Sequence, residues 1–205
     1  MKLTIILLTI LFTSMTMNAQ FEINNKFYVS SELNIGNHLG FDLNFNVITK
    51  KNYSFKVGYT GNLKTSSKPD DFTSSNDRLL IFRPFDYFNS FQVGLGKIYD
   101  LHKNGNVRLN LSFGLAFTTV KRSENWQFNA EPFSSEGFYS WDTKKNETVS
   151  FIINPKIEIP LRSVFGITIS PMVQLNKQRT YVGVGIGAMI GLLRDRINLK
   201  KIHGN

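Results

Sequence analysis

The residues that could carry out chemistry are few, and they are scattered along the chain. His38, His102 and His203 are the three histidines, and no two of them stand at a spacing typical of metal ligands. The chain has no cysteine, so a thiolate ligand and a cysteine nucleophile are both excluded. The sequence therefore predicts no metal site and no cofactor.

One combination of nucleophile and base remains open around His38. Covalent catalysis needs a nucleophile beside a general base, and Ser30, Ser31 and Asp42 are the nearby residues of suitable type. A single histidine in a turn is more often simply solvated. We therefore predict that the chain is not an enzyme, and we keep an enzyme that acts on lipid as an alternative hypothesis.

The elements that must position any site are β-strands. Apolar and polar residues alternate with period two in eight stretches, which is typical of strands with two unlike faces. Gly183, Gly185 and Gly187 belong to the last stretch, so they are small residues on one strand face rather than a phosphate-binding loop. The stretches cover residues 27–35, 39–47, 53–60, 91–101, 107–117, 149–161, 165–175 and 182–192.

Short and long connections alternate between these stretches. Lys50–Asn52, His102–Asn106 and Arg162–Ser163 are short, whereas Gly61–Ser90 and Lys121–Glu147 are long. An even strand number with short turns on one side and longer loops on the other is typical of outer-membrane barrels. The segment Leu79–Phe88 contains Pro84, and its pattern does not distinguish between a short strand, a lid over the barrel mouth and a half-turn of helix. We predict an all-β, eight-stranded antiparallel up-and-down transmembrane β-barrel.

The two strand faces differ in composition. The polar face carries mainly Gly, Asn, Ser and Thr, which suits a narrow lumen filled by side chains. Aromatic residues cluster near strand ends on the apolar face, as at the two interfaces of a bilayer. These predicted girdle residues are Phe27, Tyr53, Tyr99 and Phe165 at one end and Phe41, Tyr59, Phe91, Phe117 and Tyr181 at the other. A soluble periplasmic lipocalin-like barrel that binds an apolar ligand inside is the main alternative.

A few charges share the polar face and should form a network in the lumen. Buried charges are tolerated only when they are paired. Arg108 and Glu158 lie on neighbouring strands near the same end, so we expect an ion pair between them, which Lys56 could join. The predicted lumen charge network comprises Glu32, Asp42, Lys56, Arg108, Lys156 and Glu158.

The N-terminal segment is typical of a secretory signal peptide. Lys2 precedes the apolar run Leu3–Phe12, and Met17-Asn18-Ala19 offers a small residue at the cleavage site. We predict a signal peptide over 1–19, a barrel over 20–193 and a basic periplasmic tail over 194–205. Removal of the signal lowers the net charge from +9 to +8, and export together with the lack of any nucleic-acid-binding motif argues against nucleic acid as a partner.

The chain resembles the small eight-stranded outer-membrane β-barrel proteins, the OmpA/OmpX-like group. The resemblance covers about Phe27 to Leu193 and depends on the Asn18-Ala19-Gln20 signal end, the strand rhythm, the turn and loop asymmetry and the glycine-rich last strand. It implies outer-membrane localisation in a Gram-negative bacterium, contact with lipid and with the assembly machinery, and a monomer. Pro155 and Pro171, inside two strands, depart from the pattern and suggest a shared bulge or bend.

The third outer loop, Lys121–Glu147, is unusually aromatic. Its aromatic residues either pack on one another and on the second outer loop, Gly61–Ser90, or form an exposed recognition surface for an extracellular ligand or protein. We predict a non-enzymatic outer-membrane barrel with a structural or surface-recognition role. The candidate recognition residues are Trp126, Phe128, Phe133, Phe138, Tyr139 and Trp141.

Overall fold

The computed structural model describes residues 25–67, 85–102, 106–133 and 137–194. The predicted signal peptide over 1–19 and almost all of the tail over 194–205 lie outside these ranges. No helix in the described ranges is long and apolar enough to cross a bilayer. Eight strands form the fold: β1 Lys26–Gly36, β2 Leu39–Ile48, β3 Tyr53–Thr65, β4 Phe85–Asp100, β5 Arg108–Phe133, β6 Gly137–Pro160, β7 Phe165–Leu175 and β8 Tyr181–Leu192.

The eight strands close into one antiparallel barrel. Each strand pairs with the next along the chain, and β1 pairs with β8 from Phe27 opposite Leu192 to Gly36 opposite Gly183. Closure pairs the backbone groups of the two strands that would otherwise be edges, which is the condition for crossing a bilayer as a sheet. The predicted eight-stranded up-and-down topology is confirmed.

The barrel has an apolar exterior and a polar interior. On β2, Phe41, Leu43 and Phe45 are about half exposed, whereas Asp42 and Asn44 between them are buried. Successive side chains of a strand point to opposite faces, so this alternation separates exterior from lumen. The predicted faces are therefore confirmed, with one correction. Tyr181, predicted for the outer aromatic girdle, is fully buried in the lumen, because its odd number places it opposite the even-numbered exterior residues of β8.

Two short turns at one end of the barrel are built as the sequence predicts. In the first turn the Asn52 amide donates to the Thr49 carbonyl at 2.9 Å, and Asn52 has a φ of 60°, which asparagine tolerates better than most residues. In the last of these turns the Arg162 amide donates to the Phe165 carbonyl at 2.9 Å.

The strands next to the long connections run further than their hydrophobic pattern predicts. β3 extends to Thr65 and β4 begins at Phe85, so the 85–88 part of the ambiguous segment is strand, and residues 79–84 lie outside the described ranges. The predicted loop over Lys121–Glu147 is wrong, because β5 and β6 continue through it as a paired hairpin. Alternation disappears there because both faces of the hairpin are outside the apolar belt.

The two strand prolines interrupt the ladder without shifting it. Ile153 pairs with Val173 and Ile157 pairs with Ile169, so the register is the same on both sides of Pro155 and Pro171. No extra residue is inserted, so a bulge at these prolines is wrong, and the alternative of a bend stays a prediction. The freed Pro171 carbonyl instead accepts a hydrogen bond from the Asn154 side-chain amide at 3.1 Å.

Candidate functional site

The lumen brings Arg108 and Glu158 into direct contact. The two residues are register partners on β5 and β6, and Arg108 Nε lies 2.6 Å from Glu158 Oε2. The other carboxylate oxygen of Glu158 accepts from the Tyr28 hydroxyl at 2.7 Å and from the Asn110 amide at 3.0 Å. Arg108 also donates to the Leu193 carbonyl at 3.1 Å, so the ion pair links β1, β5, β6 and the chain after β8. The expected pair is present, and it is almost fully shielded from solvent.

A second ion pair crosses the lumen between strands that are not neighbours. Lys156 Nζ on β6 lies 2.5 Å from Glu32 Oε1 on β1. The Glu32 carboxylate also accepts from the Thr168 hydroxyl at 2.9 Å and from the Ser170 hydroxyl, both on β7. Sequence reasoning places both charges in the lumen but gives no basis for this partnership.

The glycines of β8 make room for that crossing. β8 lies between β1 and β7, so a side chain on β8 would block Glu32 from Thr168 and Ser170. A Cβ at Gly187 would overlap the Ser31 carbonyl oxygen, and one at Gly185 would lie 3.0 Å from Glu32 Oε2. These glycines are small residues on the lumen side, as the sequence predicts, and they are required because no side chain fits.

The remaining two lumen charges are held by neutral partners. Lys56 Nζ donates to Asn154 Oδ1 at 2.8 Å and does not join Arg108 and Glu158. Asp42 Oδ1 accepts from the Thr60 hydroxyl at 2.7 Å and from the Gln92 amide at 2.8 Å. The six predicted network residues are all buried, and their three acids balance their three bases.

Apolar layers lie above and below the charged centre of the lumen. One layer lies near the short turns, and the other lies towards the opposite end, where the hairpin emerges. Apolar side chains on an otherwise polar face exclude water from the ends of the lumen. The lower layer is Tyr28, Ile48, Ile98, Met189 and Leu193, and the upper layer is Phe88, Ala116, Val120, Ile152, Met172 and Tyr181.

His38 covers the outer mouth of the barrel rather than lying in water. It is only 3% exposed, and its ring lies 5.9 Å from Phe88 and 6.0 Å from Tyr181 between centroids. Its Nε2 lies 3.2 Å from Arg179 Nη1, and Arg179 Nη1 lies 3.1 Å from Asp86 Oδ2. Burial, followed by the charge of Arg179, lowers the pKa of His38 to about 4. The expectation of a solvated histidine is wrong.

Among the described residues, neither Ser30 nor Asp42 forms a hydrogen bond with the imidazole of His38. Ser30 is buried in the lumen and accepts hydrogen bonds from Asn46 at 3.1 Å and from Lys156 at 3.5 Å. Asp42 is bonded to Thr60 and Gln92 instead of to the imidazole. Within the described ranges, no three His, Cys, Asp or Glu side chains form a group that could hold a metal ion.

The aromatic candidates lie on a hairpin that rises beyond the barrel. Pairing of β4 with β5 ends at Lys121, and pairing of β6 with β7 ends at Phe151. Among the described strands, residues 122–133 of β5 therefore pair only with β6, and residues 137–150 of β6 pair only with β5; we call these two segments the outer hairpin. The predicted recognition residues belong to a regular ribbon and not to an irregular loop.

A bulge in β5 sets which aromatics share a face of the outer hairpin. The register shifts by one residue between Glu124 and Gln127, and Asn125 has a φ of 56°. The extra residue turns Trp126 to the face of Trp141, and the two ring centroids lie 5.1 Å apart. Phe128 beyond them is 64% exposed. The side chains of the other three candidates, Phe133, Phe138 and Tyr139, lie outside the described part of the structure.

Known outer-membrane proteins align with this chain at low sequence identity. The major outer membrane protein of Thermus thermophilus aligns with a TM-score of 0.50 and 10% identity, over 82% of this chain and 100% of that one. Ail of Yersinia pestis, determined in a phospholipid nanodisc, gives 0.47 and 10% identity over 82% and 100%. Neisserial surface protein A gives 0.46 and 8% identity over 81% and 94%.

Comparison by sequence alone finds no relative. No protein-family model matches the chain, and no curated protein matches it. The likeness to the Thermus protein, together with the closed eight-stranded sheet, shows that this chain has the fold of the small outer-membrane β-barrels. That fold is the one implied by the resemblance in the sequence.

Proposed function

We propose that the protein is a non-enzymatic, monomeric barrel of the outer membrane, whose outer hairpin recognises an extracellular ligand. Lipid and the outer-membrane assembly machinery are its other expected partners. The stacked pair Trp126–Trp141, raised above the barrel and positioned by the bulge at Asn125, is the observation that carries the proposal.

The distribution of polarity supports a bilayer as the surrounding medium. Lipid-facing and lumen-facing residues alternate along a membrane barrel, whereas a soluble barrel keeps its apolar residues inside. Here Leu33 is 70% exposed and Phe91 is 67% exposed, while Glu32 and Gln92 beside them are buried. The lipocalin-like alternative fails on the same ground, because the lumen is filled with hydrogen-bonded polar side chains and not lined for an apolar ligand.

The length of the hairpin supports a role outside the membrane. The last strongly exposed apolar residue of β5 before the hairpin is Phe117, and the strand continues to Phe133. At about 3.3 Å per residue this is roughly 50 Å of strand. Lys121, Lys145 and Glu147 lie between the apolar belt and the tryptophans, so the indoles are separated from the lipid surface by charged residues.

The chemistry of the pair is that of a recognition surface. Aromatic side chains dominate binding hot spots because they bury a large area at a small cost in conformational entropy. Beside the indoles, the Asn125 amide donates to the Asp142 carboxylate at 3.1 Å, which provides polar groups next to the rings. This combination suits a ligand that stacks on an indole and hydrogen-bonds at its edge.

Binding by whole proteoliposomes tests the proposal. We would reconstitute the full-length barrel in fluorescent phosphatidylcholine vesicles and apply them to arrays of extracellular glycans and proteins. Vesicles with the wild-type barrel should bind a subset of spots, and Trp126→Ala with Trp141→Ala should lose at least ten-fold of that signal. Phe91→Ala, an aromatic change within the apolar belt, is the matched control. Equal binding by the tryptophan variant and the wild type would refute recognition through the hairpin.

A further inference from the structure

The exterior of the barrel has a recess near its outer edge. Phe41, Gly61 and Asn89 are register partners on β2, β3 and β4, and all three belong to the exterior face. Gly61 has no side chain, and a Cβ there would lie 2.8 Å from the Phe41 ring. The result is a depression of about 530 Å³ with Gly61 as its floor, which we call the glycine recess.

The walls of the glycine recess are apolar except at one side. Tyr59 bounds it towards the centre of the belt and packs against Phe41, with the ring centroids 5.9 Å apart. Leu63 and Tyr87, register partners in the next row outward, bound it on the other side. Asn89 supplies a polar amide at the remaining side. A recess of this composition fits an apolar chain that carries a polar group near its end.

Two lysines lie beside the glycine recess, one row further outward. Lys121 on β5 pairs with Tyr87 on one side and with Lys145 of β6 on the other. Directly opposed residues in an antiparallel pair have Cα atoms about 5 Å apart, and like charges in that position are destabilising. Lys145 contacts Glu147 at 2.6 Å, whereas Lys121 has no ion-pair partner among the described residues. The pair therefore leaves an uncompensated positive charge at the edge of the apolar belt.

We propose that the glycine recess and the pair Lys121–Lys145 together form a binding site for a phosphorylated lipid of the outer leaflet. The acyl chain lies over Gly61, Asn89 hydrogen-bonds the ester, amide or hydroxyl of the lipid, and the two ammonium groups bind its phosphate. A phosphate between the lysines converts their mutual repulsion into attraction. The inference depends on the membrane embedding of the barrel but not on recognition by the outer hairpin.

Lys97 provides an internal comparison at the opposite end of the barrel. It also lies on the exterior face of β4, but its Nζ donates to the Lys51 carbonyl at 2.7 Å and lies 4.2 Å from the centre of the Tyr53 ring. Its charge is satisfied within the protein, so it needs no lipid phosphate. Exterior lysines of this barrel therefore differ in whether they have a partner: Lys97 has one, and Lys121 has no ion-pair partner among the described residues.

Native mass spectrometry of the full-length folded barrel in detergent tests the site with phosphatidic acid as the probe. The wild type should retain phosphatidic acid and should not retain diacylglycerol, which lacks the phosphate. Lys121→Gln with Lys145→Gln should lower retention at least ten-fold, and Gly61→Leu should lower it by filling the recess. Lys97→Gln is the matched control and should retain the lipid as the wild type does. Each variant is first checked for folding by its gel mobility without boiling.

Two results would overturn the proposal. The first is retention of phosphatidic acid by the folded double lysine variant at the wild-type level. The second is displacement of the lipid by glycerol phosphate at equal concentration, because that result would show a site for a bare anion with no role for the recess. The variant Trp126→Ala with Trp141→Ala should retain phosphatidic acid as the wild type does. The lipid site and ligand recognition by the outer hairpin can therefore fail independently.

Discussion

Glu32 and Lys156 form an ion pair of 2.5 Å across the lumen, although β1 and β6 are separated by two other strands. Both side chains are almost completely buried, so neither charge can be solvated by bulk water. A buried charge is stable only with an opposite partner and further hydrogen bonds, which Thr168 and Ser170 provide. The pair therefore links two strands of the barrel wall that do not pair with each other.

Removing one partner of this pair should destabilise the barrel strongly. Lys156→Met leaves the Glu32 carboxylate buried without its counter-charge, and we expect a loss on the order of 3–5 kcal/mol in the free energy of unfolding. Glu32→Gln with Lys156→Met removes both charges and should cost much less. Urea titration in lipid vesicles, followed by gel mobility, measures both values and their coupling. Additive effects of the two single substitutions would show that the pair contributes no coupling.

The depth of an exterior residue within the apolar belt should determine how much its replacement by arginine lowers the free energy of unfolding. Leu115 has Val93 and Phe151 as register partners, whereas Leu111 lies opposite Lys97, nearer the short turns. Leu115→Arg should cost roughly 2–4 kcal/mol, and Leu111→Arg at most about 1 kcal/mol, because the penalty falls towards the interface. The same titration in vesicles gives both numbers. A larger penalty at Leu111 would contradict the assignment of depth.

The lumen should not conduct ions as a general porin does. An eight-stranded barrel is just wide enough to be filled by its own side chains, and here apolar layers around Ile48 and Ile152 close both ends. Purified protein in planar bilayers should show no steady openings, while a large porin in the same bilayer serves as the positive control. Stable conductance at the nanosiemens level would contradict a closed lumen.

The sequence predicts what depends on alternation and on neighbouring strands. The faces follow from period two, and the contact of Arg108 with Glu158 follows from the register of adjacent strands. The pair Glu32–Lys156 cannot be predicted in this way, because contacts across a lumen depend on the barrel diameter. They also depend on the glycines of β8, which leave space for the Glu32 side chain. The exterior position predicted for Tyr181 is wrong. Strict alternation along β8 puts the odd-numbered residues in the lumen, so the sequence itself contained the information for the correct prediction.

The outer hairpin shows a different limit of sequence reasoning. Hydrophobic alternation marks a strand only where its two faces meet different media, and both faces of the hairpin lie beyond the lipid belt. Its strand structure is therefore invisible to that signal, even though threonine and aromatic residues favour it. The bulge that brings Trp126 to Trp141 adds one residue at Asn125, and a single asparagine with positive φ is too weak a sequence signal to locate it.

The outer mouth should make stability depend on pH through His38. Its pKa is lowered to about 4 in the folded barrel, whereas an unfolded histidine titrates near 6.5. Between these values the unfolded chain binds the proton and the folded barrel does not, so this group destabilises the barrel as the pH falls from about 6.5 to about 4. The effect levels off below that range. Because the mouth adjoins water, we expect a loss on the order of 2 kcal/mol rather than the full value of the shift.

A histidine variant isolates this contribution from that of the carboxylates. His38→Gln keeps a side chain that can bond Asn37 and Arg179 but cannot titrate, so its free energy of unfolding should change less between pH 6.5 and pH 4 than that of the wild type. His102→Gln, a change in the turn at the opposite end, serves as the control for the removal of a histidine elsewhere in the chain. Unfolding in urea at several pH values, with the barrel in vesicles, gives the two curves. If the free energies of unfolding of His38→Gln and the wild type changed in parallel with pH, the pKa of His38 would be the same in the folded and unfolded states, and the prediction would be wrong.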